Sequence, residues 1–206
     1  MKKLYLLIFV FLSLFFVGCS FESDFLDIEN TESLQTGILE NNFDIEEDSK
    51  QILSLMEEES FAKIARFVHP VKGVRFSPYT YIDLDTSVVL YPDDFQGNLN
   101  SGELMRGYTD GAGFEIEETI YDYFKEWVYS TGFLYADQTF VNQTISRGNN
   151  LNNINDVFPG SQHIEYYFDG FDPQYEGMDR LSLTLVFEDY NGKYYLVGLI
   201  RGSWTI

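Results

Sequence analysis

The sequence predicts an α+β domain in which N-terminal helices pack on an antiparallel sheet, and three patterns indicate this. Apolar residues recur at helical spacing from Ile52 to Val68 and again from Ile120 to Val128. After residue 137 the apolar pattern changes to period two, which is typical of half-buried strands. The strand segments are 138–146, 162–168, 180–188 and 193–205. Between the last two segments, Asn191-Gly192 is the preferred two-residue hairpin turn.

The first half of the domain contains the helices and a proline-interrupted strand. Two short helices, or one broken helix, are expected between residues 49 and 69, with Ser60 as a cap and Pro70 after the end. A strand follows at 73–83, where Pro78 indicates an edge position or a bulge. Residues 86–114 contain a weak strand at 87–90 and turns rich in Asp and Gly.

The Asn191-Gly192 turn also predicts the register of the last hairpin, in which paired residue numbers sum to 383. The face expected in the core pairs Phe187 with Leu196, Leu185 with Gly198, Leu183 with Ile200 and Asp179 with Trp204. The other face pairs Glu188 with Tyr195, Val186 with Val197, Thr184 with Leu199 and Ser182 with Arg201. A one-residue slip would expose the leucine row, so the register should be well specified.

The N-terminus has the pattern of an export signal. Two lysines precede an uncharged apolar run, residues 4–17, and Gly18 is a small residue at the expected cut. The run is shorter than the ~20 residues that a membrane-spanning helix needs. The chain has one cysteine, Cys19, directly after this signal. A lone cysteine excludes structural disulfides and thiolate metal sites.

The tripeptide Val17-Gly18-Cys19 resembles the lipobox of bacterial lipoproteins, with Phe16 where that motif usually has leucine. The resemblance implies a signal peptide at 1–18 and a mature N-terminus at a diacylglyceryl-Cys19 whose acyl chains, such as palmitate, enter the cell membrane. Ser20 resembles a signal for outer-membrane sorting in hosts with two membranes. An uncleaved anchor helix and cleavage without lipidation are the alternatives.

An acidic tether, residues 19–48, is expected to join the anchor to a single domain at 49–206. Its segment 20–48 has ten acidic residues and no basic one, and like charges extend a linker. Without residues 1–18 the chain keeps 11 of its 13 basic residues and all 33 acidic ones, a net charge of −22. Such a charge repels nucleic acids and anionic membrane surfaces, so only the lipid is expected to attach the protein.

The order of these elements resembles the nuclear transport factor 2-like (NTF2-like) fold, a curved sheet wrapped around helices into a cone with an apolar pocket. Segments 69–79 and 195–206 are similar to segments of bacterial lipoproteins, a family mark without an attached activity. The resemblance covers residues 49–206. The fold hosts isomerases, dehydratases, transport factors and binding modules, so it implies no particular reaction.

The two histidines have ordinary structural interpretations. His69 lies at a helix end, where it can bond the last carbonyls. His163 shares the expected outer face of its strand with Glu165, and two ligands are too few for a zinc site. The acidic turns do not match the spacing of a calcium loop. The sequence therefore predicts neither a metal nor a cofactor.

The residues expected to line a pocket are Arg75, Tyr79, Tyr81, Tyr123, Trp127, Asp179 and Trp204. Asp179 beside Trp204 would have a raised pKa and could act as a general acid or base. The alternative for Asp179 is a strand-end residue that accepts bonds from backbone amides. No nucleophile elbow, phosphate loop or catalytic triad order is present in the sequence.

These observations predict a lipid-anchored extracytoplasmic binding module without catalysis. Its expected partner is a small apolar ligand, another protein or a second copy of the chain. The alternative is a small-molecule isomerase or hydrolase that uses Asp179 with a tyrosine or His69. A purely structural role in the cell envelope is the third possibility.

Overall fold

The computed structural model describes residues 43–97, 99–100, 104–109, 113–145, 147–148 and 150–204, apart from the side chains of residues 104 and 106. The expected signal peptide, Cys19 and nearly all of the tether lie outside the described residues. No helix within the described stretches is long and apolar enough to cross a membrane.

The described chain has an α+β architecture. The helices are α1 (Ile45–Glu57), α2 (Phe61–Ile64), α3 (Ile120–Tyr123), which continues as a π-helical turn over Phe124–Val128, and α4 (Ile154–Val157). The strands are β1 (Val74–Ser77), β2 (Val89–Leu90), β3 (Leu104–Tyr108), β4 (Glu115–Thr119), β5 (Gln138–Val141), β6 (Gln162–Phe168), β7 (Leu181–Tyr190) and β8 (Lys193–Ser203).

Helix α1 begins at Ile45, so the last four residues of the expected tether are helical. Asp44 explains this start because its side chain accepts hydrogen bonds from the backbone N–H groups of Glu46 (2.9 Å) and Glu47 (3.2 Å). The expected cap of the second helix is wrong. Ser60 precedes α2 but makes no side-chain cap bond and donates instead to Glu58 (3.4 Å).

The main sheet has six strands in the order β2-β1-β8-β7-β6-β5. Strand β1 runs parallel to β8, and the other neighbours are antiparallel, so the sheet is mixed rather than fully antiparallel as predicted. Strand β1 ends at Ser77, and Pro78, which cannot donate a ladder bond, lies outside it. Strands β3 and β4 form a separate hairpin that the sequence analysis did not predict.

The β7–β8 hairpin turns at Asn191-Gly192, and both residues have the positive φ of a type I′ turn. The predicted register is confirmed next to the turn, where Glu188 pairs with Tyr195 and Phe187 with Leu196.

Val197 is then an extra residue on β8, a β-bulge, and every later pair is shifted by one. The shifted pairs are Val186 with Gly198, Leu185 with Leu199, Thr184 with Ile200, Leu183 with Arg201 and Ser182 with Gly202. The predicted pairs beyond the bulge are therefore wrong. Asp179 and Trp204 do not pair either, because β7 begins at Leu181 and β8 ends at Ser203.

The central strands β6, β7 and β8 are buried on both faces over most of their length. The larger core lies between the inner face and the helices, and it includes Leu183, Leu185, Phe187, Leu196 and Leu199. A second apolar cluster covers the outer face and consists of Ile82, Ile154, Phe158, Val186, Val197 and Ile200. Asn153 ties the two covering segments together, because its side-chain amide accepts from Ile82 N (2.8 Å) and donates to Ile82 O (3.0 Å).

His163 and Glu165 lie on this outer face, as expected, but they are buried rather than exposed. Arg147 lies across β6, and its guanidinium donates to Glu165 Oε1 at 2.7 Å and lies 3.6 Å from the centre of the Tyr167 ring. This cover by the segment before β6 was not predicted from the sequence.

Candidate functional site

Five side chains meet on the inner face of the sheet near the end of β8, and we call them the Arg201 site. They are Tyr79 from the segment after β1, Glu118 from β4, Tyr123 from α3, Trp127 from the π-helical turn and Arg201 from β8. Three of them, Tyr79, Tyr123 and Trp127, are among the predicted pocket residues. Glu118 and Arg201 are not among the pocket residues predicted from the sequence.

Arg201 reaches this face because of the bulge at Val197, which places it opposite Leu183. Its guanidinium carbon lies 5.5 Å from the centre of the Trp127 ring, a distance at which a cation–π attraction operates. Its Nη1 donates to Ser203 Oγ at 3.3 Å, and its Nε is buried without a hydrogen-bond partner. Burial lowers the pKa of Arg201, but a guanidinium stays charged at any ordinary pH.

Glu118 faces Trp127 from the β3–β4 hairpin. Trp127 Nε1 donates to its Oε1 at a long 3.4 Å, and its Oε2 is buried without a partner. Burial raises the pKa of Glu118, and the nearby charges of Glu126 and Asp122 raise it further, against the opposing effect of the Trp127 bond. Glu118 therefore keeps its proton to a higher pH than a free glutamate and can donate a hydrogen bond when protonated.

Aromatic rings form the walls of the Arg201 site. The rings of Tyr79 and Tyr123 lie 6.3 Å and 6.4 Å from that of Trp127. Tyr123 is almost fully buried and packs edge-to-face on Phe76, so it also belongs to the core. Burial raises the pKa of Tyr123, and the charge of Glu118 adds to this effect, so its phenol remains protonated. The site thus combines a cation, a protonatable carboxyl group and flat apolar surfaces.

Arg75 and Tyr81 do not join this site. Arg75 alternates with the core residues Val74 and Phe76 along β1 and therefore faces outward, where its Nη1 donates to Ser87 Oγ (2.7 Å) and Ser87 O (3.2 Å). Tyr81 is exposed. Both residues line a groove of about 640 Å³ on the outer side of the sheet.

Asp179 and Trp204 do not join it either. Asp179 Oδ2 accepts hydrogen bonds from the backbone N–H groups of Phe171 (2.9 Å) and Asp172 (2.7 Å). Burial acts to raise the pKa of Asp179, but these backbone donors outweigh it and hold the pKa below its ordinary value. The expectation of a raised pKa is wrong, and the alternative of a strand-end residue bonded to amides is confirmed. Trp204 is exposed beyond β8.

His69 stabilises the turn that follows it. Its Nδ1 accepts the backbone N–H groups of Val71 (3.1 Å) and Lys72 (3.0 Å), so it does not donate to helix carbonyls from this nitrogen as expected. Burial lowers the pKa of His69, and the charge of Lys72 lowers it further. The ring is therefore neutral, with its proton on Nε2.

No group of three or more His, Cys, Asp or Glu side chains in the described ranges could hold a metal ion. No protein-family model matches the chain, and no curated protein matches it. Among solved structures the chain is similar to a designed NTF2-like protein, with 15% sequence identity, coverage of 76% of this chain and 95% of that chain, and a TM-score of 0.32. A likeness this distant supports no conclusion about function.

Proposed function

We propose that this chain is an extracytoplasmic lipoprotein, attached to a bacterial membrane through acylated Cys19, whose domain is a non-catalytic binding module with an NTF2-like architecture. The attachment is inferred from the sequence pattern of residues 1–19. The binding proposal rests on one observation. The cationic side chain of Arg201 lies on the inner face of the sheet without an ion-pair partner among the described residues.

A partly buried charge without a partner destabilises a fold, because desolvation is not compensated by hydrogen bonds. Such a group persists where function requires it, and an acidic group of a ligand would compensate the charge of Arg201. The guanidinium lies over the Trp127 ring, and the Tyr79 ring packs edge-to-face against Trp127. The ligand that fits best is a small molecule with one acidic group and a flat, apolar body.

The position at which the chain enters the domain also suits an anchored binding module. The ring of Phe43, just before α1, stacks on Tyr194 at 4.3 Å, close to the turn of the last hairpin. Arg201 lies seven residues further along β8, which corresponds to ~24 Å of extended strand. A tether that ends at Phe43 would leave the Arg201 site at the opposite end of the hairpin from the attachment point.

Two experiments test this proposal. Growth with labelled palmitate should label the protein, and Cys19→Ser should abolish the label. Titration of the full chain with benzoate should show binding that Arg201→Gln abolishes and that Lys63→Gln, which removes an exposed positive charge, leaves intact. Unchanged labelling of Cys19→Ser would refute the anchor, and equal benzoate binding by Arg201→Gln would refute the site.

Glu118 favours a second candidate function, proton transfer in an isomerase or hydrolase. The carboxyl group that fits this role is Glu118, whose pKa is raised, rather than the predicted Asp179. An NMR titration of the Glu118 carboxyl group tests the requirement directly. A measured pKa at or below the ordinary 4.5 would remove this candidate.

A further inference from the structure

A second concave surface, the outer groove, lies on the opposite side of the sheet from the Arg201 site. It is defined here by Arg75, Tyr81, Val89, Asp156, Phe158 and Val197. The segment around β2 forms one wall, helix α4 forms the other, and Val197 and Phe158 of the second apolar cluster form the floor. Its volume of about 640 Å³ falls in the range of roughly 300–1,000 Å³ that is usual for small-molecule sites.

The charged groups of the groove are not all compensated. Lys72 and Glu188 form an ion pair with each other at its rim. Arg75 uses its Nη1 on Ser87, and its Nε and Nη2 make no hydrogen bond to the described residues. Asp156 is exposed in the first turn of α4, and its carboxylate accepts no hydrogen bond from the described part of the chain. One cation and one anion with free bonding capacity thus share a groove with an apolar floor.

This combination discriminates among ligand classes by charge. A simple anion would meet Asp156 and the strong negative charge of the whole chain, −20, whereas a simple cation would meet Arg75, which has no ion-pair partner among the described residues. A molecule with both charges, separated by an apolar body, would form a charge-assisted bond at each end. The groove is also larger than one amino acid requires.

We propose that the outer groove binds short zwitterionic peptides with apolar side chains. The C-terminal carboxylate pairs with Arg75, the N-terminal ammonium group pairs with Asp156, and the side chains lie on Val197 and Phe158. Because both termini are recognised, the groove selects short free peptides over the termini of long chains.

The test is calorimetric titration of the full chain with the dipeptide phenylalanyl-leucine and with its N-acetylated and C-amidated forms, which keep the apolar body. Each blocked form should bind about tenfold to hundredfold more weakly, because it loses one charge-assisted bond. Absence of binding of the free dipeptide, or equal binding of all three forms, would overturn the proposal.

Matched variants assign each terminus to its residue. Arg75→Gln should bind the free dipeptide more weakly than the unmodified chain does, and it should bind the free and amidated forms equally. Asp156→Asn should likewise bind the free dipeptide more weakly, and it should bind the free and acetylated forms equally. Two control variants outside the groove, Lys63→Gln at an exposed base and Asp93→Asn at an exposed acid, should bind the free dipeptide like the unmodified chain. Discrimination that persists unchanged in Arg75→Gln and Asp156→Asn would overturn the assignment.

The outer groove and the Arg201 site can be tested independently. Arg201→Gln should leave dipeptide binding unchanged, because the two sites lie on opposite faces of the sheet. Loss of dipeptide binding in a folded Arg201→Gln chain would contradict a separate outer groove.

Discussion

Replacement of Gly198 by alanine should destabilise the domain through the outer face of the sheet. A Cβ at this position would lie 3.0 Å from Val186 Cγ2 and 3.1 Å and 3.2 Å from Cζ and Cε2 of the Phe158 ring. Favourable carbon contacts begin at about 3.5 Å, so a neighbouring side chain must move. Val186 is fully buried within β7, which leaves the Phe158 ring as the group that shifts.

The magnitude follows from two opposing effects. Overpacking of a well-packed cluster costs about 1–3 kcal/mol, whereas removal of a glycine restricts the unfolded chain and stabilises by about 0.4–1 kcal/mol. The net expectation is a loss of about 1–2 kcal/mol in the free energy of unfolding. For a domain of this size, that corresponds to a decrease of about 2–8 °C in melting temperature.

Urea denaturation of Gly198→Ala should therefore show a lower midpoint with an unchanged slope. The matched control is Gly97→Ala, because a Cβ there would meet nothing within 4 Å and its φ of −88° suits any residue. When Phe158 is replaced by leucine, Gly198→Ala should lower the free energy of unfolding by less than half as much as it does in the unmodified chain, because the smaller leucine side chain leaves room for the Cβ. A Gly198→Ala chain as stable as the unmodified one, or a loss independent of residue 158, would refute this reasoning.

Three further predictions concern other positions. Gly73→Ala should lower the free energy of unfolding, measured by urea denaturation, by about 2 kcal/mol or more, because Gly73 has φ +69° and a Cβ would lie 2.6 Å from Leu90 O. A smaller loss than that of Gly198→Ala would contradict this prediction. Arg201→Met should raise the free energy of unfolding by about 1 kcal/mol or more while benzoate binding disappears, and a less stable variant would show that the contacts of Arg201 with Ser203 and Trp127 outweigh the cost of burying its charge. Burial lowers the pKa of His163, so the contribution of His163 to stability is complete above the ordinary pKa of 6.5 and falls as the pH decreases below that value. The urea midpoint should therefore decrease between pH 7.5 and pH 5, and His163→Gln should make this decrease smaller. An unchanged decrease would exclude His163 as a cause.

The sequence predicted the parts of the fold that depend on local pattern. Strand β6 was expected at 162–168 and occurs there, and the hairpin turn at Asn191-Gly192 was correct because positive φ at both positions strongly restricts the residue types. The parallel pairing of β1 with β8 could not be predicted in this way, since it joins residues more than 100 positions apart. The β3–β4 hairpin was missed because the residues before it are turn formers without alternation.

The bulge could not be predicted for a related reason. Residues 196–200 are apolar or glycine without interruption, and both faces of β8 are buried there. Polar and apolar residues therefore do not alternate in this segment, so the sequence does not indicate which side chains face inward. An extra residue cannot be recognised from such a pattern. The predicted register placed Arg201 opposite Ser182 on the outer face, which is why the sequence analysis did not include it in the pocket.

The single extra residue at Val197 connects the two proposed sites. Beyond it, Arg201 points to the inner face and Ile200 to the outer face, each the reverse of an unbulged strand. The inward arginine places beside Trp127 a positive charge that has no ion-pair partner among the described residues. Val197 itself, together with the Phe158 ring that packs over Gly198, forms the floor of the outer groove. Bulges commonly redirect side chains next to functional sites, and here one bulge places a cation on one face of the sheet and an apolar floor on the other.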